Sequence, residues 1–259
     1  MTRKPWPIAA GASLLALAFV ALALLWTAPA DVAYQVLRAR LGGWQAQGLS
    51  GSLWQGRAEQ VALHGVPLGT LEWNVSRSAF FAGSTRGNAT LRGQGSGIAL
   101  DLDFDKQGRN AVLRNVELKL PAQWLAPAIA LPGMTPLGDV AAKIGEMQLT
   151  DGFLTGAVGG FEWRGVGVSG AAEGAIGDIE GNFGTAPDGA VILDVHDRGA
   201  LIGVAGRARF QGPSFDLEVR LTPRQSNLQL FEVLRLVGQR TADGGTLLRV
   251  NGQMQPLFQ

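Results

Sequence analysis

Residues 48–73 read GLSGSLWQGRAEQVALHGVPLGTLEW, and three features of that stretch set the fold class. Leu49-Ser50-Gly51-Ser52-Leu53-Trp54-Gln55-Gly56 is a short apolar run closed by glycines. Val61 and Leu63 alternate with Ala62 and His64 ahead of a turn at Gly65-Val66-Pro67. Leu71, Trp73 and Val75 then share one face, with Thr70, Glu72 and Asn74 on the other. A period of two in aromatic and β-branched residues, broken by Gly and Pro, specifies strand, turn, strand.

The same signal continues outward. Leu100, Leu102 and Phe104 alternate with Asp101, Asp103 and Asp105; a turn at Gln107-Gly108-Arg109-Asn110 follows, and then Val116, Leu118 and Leu120 alternate with polar residues. Val191, Leu193 and Val195 form another set, as do Val204, Ala208 and Phe210, and Phe215 to Leu221 is the cleanest strand of all. Thr246 to Met254 reads as the last strand. Pro121 to Leu125 predicts one helical turn. Ser226 to Gln229 is a capping-box pattern opening a helix with Leu230, Phe231, Leu234 and Val237 on its apolar face. Polar-out, apolar-in strands need their apolar side covered. Two sheets facing each other and one sheet curled into a groove both satisfy this. A weaker echo of the opening stretch, Leu149 to Gly156 and Gly159 to Trp163, leaves an internal duplication open.

Composition supports a turn-rich β architecture. The chain has 37 glycines among 259 residues, about twice the usual share, with no collagen period. Its 46% apolar content is enough for a sizeable core. A net charge of +1 gives no nucleic-acid footprint, and the lack of cysteine excludes disulfides, thiolate metal sites and a lipoprotein anchor.

Met1 to Pro7 is a short basic head. Residues 8–26 form an uncharged run of Ala, Leu and their like, including Ile8, Leu14, Leu17, Val20, Leu24 and Trp26. As a helix it reaches about 28 Å, close to the hydrocarbon thickness of a bilayer. Arg3 and Lys4 place its N-terminal side in the cytoplasm, and Trp26 suits the far interface. Ala28-Pro29-Ala30 has the form of a signal-peptide cleavage site, but the apolar run is longer than a signal peptide needs, so a retained anchor is expected. Asp31 is expected to cap a connecting helix from Val32 to Leu41, closed by Gly42-Gly43. The expected organisation is a head (1–7), a transmembrane helix (8–26), a connecting helix (27–43), and two β-rich halves (44–132 and 133–259) divided in the Pro127 to Pro136 segment. The expected fold class is therefore mainly β: a transmembrane helix, then an antiparallel β-rich domain with two or three short helices.

No catalytic constellation emerges. Asp101-Leu102-Asp103-Phe104-Asp105 starts like a calcium loop, but Lys106 and Val112 stand where the loop needs Gly and Glu. Gly165 to Gly170 fits G-x-G-x-x-G, yet the glycines after it weaken the helix a dinucleotide site requires. His64 and His196, the only histidines, have no metal or triad spacing. No catalytic residue, cofactor or metal is expected. The tryptophans read mainly as core on apolar strand faces. Trp54 and Phe231 are the candidate partner-binding residues.

An N-terminal span, then G-S-L-W-Q-G (51–56), then L-G-T-L-E-W (68–73), resembles the protein N family of bacterial type II secretion systems, and the resemblance extends from the span to the last strand. It implies a non-enzymatic accessory or assembly component of the secretion machinery, held at the inner membrane with its main domain in the periplasm. Implied partners are the inner-membrane platform proteins, the outer-membrane secretin and inner-membrane lipids. The second half is similar in style to AsmA-like anchored β-groove proteins, which implies the alternative of a lipid-binding or lipid-transfer module.

Overall fold

The computed structural model describes residues 26–38, 42–126, 133–170, 173–199, 202–224, 238–241, 244–254 and 256. Among these, strand follows strand: β1 (Trp44–Gly51), β2 (Gln55–Leu63), β3 (Val66–Val75), β4 (Thr85–Arg92), β5 (Ala99–Gln107), β6 (Asn110–Pro121), β7 (Met134–Thr150), β8 (Phe153–Gly170), β9 (Gly174–Thr185), β10 (Val191–Asp197), β11 (Ile202–Gln211), β12 (Ser214–Pro223), β13 (Gln239–Arg240) and β14 (Thr246–Gln253). All belong to one antiparallel sheet. Each strand from β1 to β12 pairs with the next in sequence, and the order ends β12-β14-β13. The sheet is not closed, with β1 and β13 as its two edges. Among the described residues there is therefore no second sheet to face the first, as a sandwich would need. β6 and β7, on either side of the expected division at Pro127 to Pro136, are hydrogen-bonded neighbours from Asn110↔Thr150 to Pro121↔Asp139, so both segments build the same sheet.

One register row explains why this meander holds together. Leu49, Ala58, Leu71, Leu91, Leu100, Leu118, Ala142, Phe161, Gly181, Val195, Gly206, Val219 and Leu248 are successive directly opposed partners from β1 to β12 and on to β14. Direct partners share a face, so the row is a continuous apolar lane across the sheet. A slip of one residue in any strand would turn its apolar set to the polar side. Local irregularities protect the row. In β6 the apolar phase changes from Ala111 and Leu113 to Val116, Leu118 and Leu120. A register shift sits at that point, with Asn115 at φ 51° donating its side-chain amide to Asp103 at 2.8 Å. The extra residue restores the apolar face.

The sheet curls. Cα atoms of β8 and β11 come within 8 Å although β9 and β10 lie between them, whereas a flat sheet would hold them about 14 Å apart. Register shifts along β7–β8 and β8–β9 supply the bend. Inside this curl sits the best-buried cluster, Ile202, Val204 and Leu221, with Ile176, Ile179, Val195 and Val219 against it.

The glycine excess also has a structural role. Gly56, Gly87, Gly181 and Gly252 each stand directly opposite an aromatic residue: Trp73, Phe104, Phe161 and Phe215. A Cβ on Gly56 would lie 2.4 Å from the Trp73 ring, and one on Gly181 2.4 Å from the Phe161 ring. The rings lie over the glycines, covering backbone that has no side chain of its own.

Two hairpins close through paired positive-φ residues, His64-Gly65 (50° and 82°) and Asp151-Gly152 (54° and 77°). Such two-residue turns match the strand twist. Val66 and Pro67 consequently belong to β3 instead of the turn. The echo of the opening stretch is not a duplicated unit in the described structure. Trp73 lies on the second strand after the turn at Trp54, whereas Trp163 lies on β8, which itself begins at Phe153.

The connecting helix, α1 (Ala30–Leu37), differs from expectation at its start. Its cap is Pro29, whose carbonyl accepts the Ala33 N–H at 3.0 Å, and Asp31 stands in the first turn without capping. Pro29 has no N–H to satisfy and forms a bridge to Ser52, which starts the helix two residues earlier than an Asp31 cap would. The Tyr34 hydroxyl accepts the Ala46 N–H at 3.1 Å, so α1 packs against the exposed edge of β1. A second helix, α2 (Arg77–Phe81), joins β3 to β4, and a single 3-10 turn (Ala122–Leu125) follows β6. The residues of the expected helix after Pro223, Phe231 included, and the anchor residues Ile8, Leu14, Leu17, Val20 and Leu24 lie outside the described residues. Among the described residues no helix is long and apolar enough to cross a membrane.

A Gly56→Ala substitution is expected to lower stability by about 1–3 kcal/mol through overpacking against Trp73 and the Ser50 carbonyl. Gly184→Ala, whose Cβ meets nothing within 4 Å, should stay within about 0.5 kcal/mol of the parent. Thermal unfolding of both full-length variants followed by circular dichroism checks the pair.

Candidate functional site

The two motif halves at 51–56 and 68–73 are physically interlocked. The β1–β2 turn carries Leu53 and Trp54. The Trp73 indole N–H donates to the Leu53 carbonyl at 3.1 Å, and the Trp54 carbonyl accepts the Val75 N–H at 2.6 Å. Gly56 leaves room for the Trp73 ring. On the other side of the turn, Leu53 N–H donates to the Ala28 carbonyl at 2.9 Å, tying the chain just after Trp26 to the sheet. The motif thus shapes a corner where the N-terminal segment, β1–β2 and β3 meet.

That corner is capped by aromatic rings. Ser76 caps α2, its Oγ accepting the Ala79 N–H at 3.3 Å, and the helix delivers Phe80 and Phe81 over Trp54. Phe80 meets Trp54 edge-on at 5.1 Å between ring centroids, and Phe81 lies 6.1 Å away. Phe81 in turn stacks on Trp26 at 5.6 Å with 16° between planes, and the Arg77 guanidinium sits 5.1 Å from the Trp26 ring centre. Trp54 is only 2% exposed, whereas Trp26, Phe80 and Phe81 are 46%, 40% and 43% exposed.

This corrects the expectation for Trp54. Its indole is the buried floor of the corner and presents no surface to a partner; the rings above it do. Sequence reasoning missed Arg77, Phe80 and Phe81. Their signal was a capping serine followed by adjacent phenylalanines, in a segment too short to show helical periodicity. Of the other tryptophans, Trp44 is exposed, and Trp163 donates to the Leu137 carbonyl at 2.9 Å. The buried Trp124 Nε1 finds no acceptor among the described residues.

The remaining sequence candidates resolve as parts of the sheet. Gly165 to Gly170 lies within β8 and opens no helix. Asp101, Asp103 and Asp105 bond to Arg92, Asn115 and Arg86 across neighbouring strands. His196 bonds Glu180 at 2.8 Å, and His64 sits in its turn. Among the described residues no group of three or more His, Asp or Glu is placed to hold a metal ion. The polar face instead carries a ladder of cross-strand ion pairs, among them Arg57–Glu72, Arg114–Glu146, Lys143–Glu117, Arg207–Asp194 and Arg249–Glu218. Exposed pairs like these contribute little each but penalise wrong register.

The sequence pattern of the type II secretion system (T2SS) protein N family matches residues 42–249, from just before β1 into β14. The chain belongs to the type II secretion system protein N family. It is similar to the type II secretion system protein N of Vibrio cholerae serotype O1, 25% identical over 193 residues that cover 70% of this chain and 68% of the relative. No solved structure matches the chain. Family membership makes the protein a component of the type II secretion machinery. The match spans both motif halves, α2 and almost the whole curled sheet, and begins after Trp26 and α1.

Two outcomes follow from the site. Trp54→Ala should cost about 3–5 kcal/mol by emptying the floor beneath Phe80 and Phe81, read as a lowered unfolding midpoint in denaturant. Hydrogen bonding from Arg92 holds the Asp101 carboxyl below its ordinary value, assisted by Thr90. A depressed folded-state pKa stabilises above the unfolded value of about 3.9 and loses that contribution as pH falls below it. Asp101→Asn should therefore flatten the acid limb of the stability–pH curve below about pH 4 and leave its neutral limb parallel to the parent.

Proposed function

We propose that this protein is a non-enzymatic accessory or assembly component of the type II secretion machinery, anchored in the inner membrane by residues 8–26 and working in the periplasm by binding. The observation that carries this reading is the exposed aromatic corner. Trp26, the last residue of the apolar run, shares a ring stack with Phe81 of the folded domain, so anchor and sheet meet at one built point. A sheet joined there through its β1 end carries its ion-pair ladder on toward β14, and that ladder is the surface offered to inner-membrane platform proteins and the outer-membrane secretin. Binding at such surfaces asks for no reacting group.

A second reading is favoured by a separate observation. The apolar lane runs across a single curled layer, and several of its members, Leu71, Leu100, Leu118 and Phe161, are only half-buried. A lane of this kind, about 60 Å long at the usual strand spacing, suits acyl chains. It supports the alternative of an inner-membrane-anchored β-groove that binds or transfers lipid.

Affinity purification of the full chain by a C-terminal tag from gently solubilised membranes, with mass spectrometry of the co-purifying material, separates the two. Recovery of secretion-platform proteins is the expected result. Their absence, with phospholipid retained in a fixed ratio through detergent exchange, would replace the first reading with the second.

A further inference from the structure

Helix α2 lies far along the chain from the apolar run, yet the fold brings it to the end of that run. The Phe81 ring is 5.6 Å from Trp26 and the Arg77 guanidinium 5.1 Å from it. The rings here are open to solvent: Trp26, Phe80 and Phe81 are at least 40% exposed, and α1, which follows Trp26 in the chain, exposes Val32 and Val36, 52% and 75%. Adjacent aromatic rings left in water at one corner mark a surface that is covered in use.

The chain itself indicates what covers it. The segment preceding this corner is the uncharged run from Ile8, and it ends at Trp26, a member of the patch. The interfacial layer on each side of a bilayer is several ångströms thick. Groups within about 6 Å of Trp26 fall inside that layer when the run occupies the hydrocarbon. Indole and phenyl rings favour that layer, and a guanidinium there reaches lipid phosphate. α2 carries no acidic residue; the acids nearest its partners in sequence are Asp31, five residues after Trp26, and Glu72, five before Arg77 and itself paired with Arg57.

We propose that α2, with Phe80, Phe81 and Arg77, is a second membrane contact: an interfacial seat that docks the corner of the sheet into the headgroup layer of the same bilayer that holds the anchor. The proposal rests on the anchor reading for residues 8–26. A single span leaves a domain free to swivel, whereas a span plus a seat built from residues 77–81 fixes how the sheet stands on the membrane. Trp54 is the rigid floor that holds the two phenyl rings outward.

The lack of cysteine makes the test direct. Single-cysteine variants of the full chain, Ala82→Cys beside the seat, Val32→Cys on α1, Leu17→Cys in the run and Val158→Cys on β8, are spin-labelled in liposomes of phosphatidylethanolamine and phosphatidylglycerol. Paramagnetic accessibility to oxygen is compared with that to a water-soluble nickel chelate. The expected result is an oxygen-to-nickel ratio several-fold higher for labels at 82 and 32 than at 158, whose native side chain is 63% exposed on the sheet, and highest at 17. If 17 is lipid-buried while 82 and 32 match 158, the anchor stands and the seat is overturned, leaving the corner to a protein partner. If 17, 82 and 32 all report water, anchor and seat fall together. If 82 and 32 report lipid while 17 does not, the anchor reading falls and the proposal of a second contact beside it is overturned with it.

Discussion

The structure depends on cross-strand apolar contact in register. From Leu49 on β1 to Leu248 on β14, each strand places a small or apolar residue opposite its neighbour's. That continuity lets a chain of this length form one open meander instead of separate domains. Every strand is held by the next one along, so the pairing is local and loop closure costs little at each step. The ion-pair ladder on the reverse face acts on the same variable: it adds little stability but makes a slipped strand lose its partners as well as its burial.

Glycine serves this arrangement in two ways. Opposite Trp73, Phe104, Phe161 and Phe215 it makes space for a ring to lie across the neighbouring strand. In the hairpin turns it adopts the positive φ that the strand twist requires. The motif around Trp54 combines both uses, since Gly56 admits Trp73 and the turn carries the carbonyls that tie β2, β3 and the N-terminal segment together. The motif is thus a joint between the N-terminal segment and the sheet. What the joint supports is the ring cap of α2, an exposed apolar surface beside Trp26.

Much of this was legible in the residues. The alternations at Leu100 to Phe104, Val191 to Val195 and Phe215 to Leu221 each became a strand, and the turn signal at Gln107 to Asn110 closed a hairpin, whereas the turn expected at Gly65-Val66-Pro67 formed one residue earlier, at His64-Gly65. The helix start at Ala30 was not legible, because a proline bridged to a distant serine outranked a nearby aspartate with better intrinsic capping chemistry. The site was half legible. Trp54 was singled out, but an exposed and a buried tryptophan have the same letter, and its 2% exposure depends on a helix more than twenty residues away.

The sequence by itself determined the β class, the antiparallel style, most strand positions, the expected apolar run before the domain and the motif that marks the family. Each of these is written in local spacing, where a period of two or a run of uncharged residues has one physical meaning. Only the tertiary structure decided that the strands form a single curled sheet, that Trp54 is floor and not surface, and that Arg77, Phe80 and Phe81 gather on Trp26. Those outcomes depend on which strands become neighbours and how bulges accumulate into curvature. These are properties of contacts between distant residues, and no local pattern encodes them.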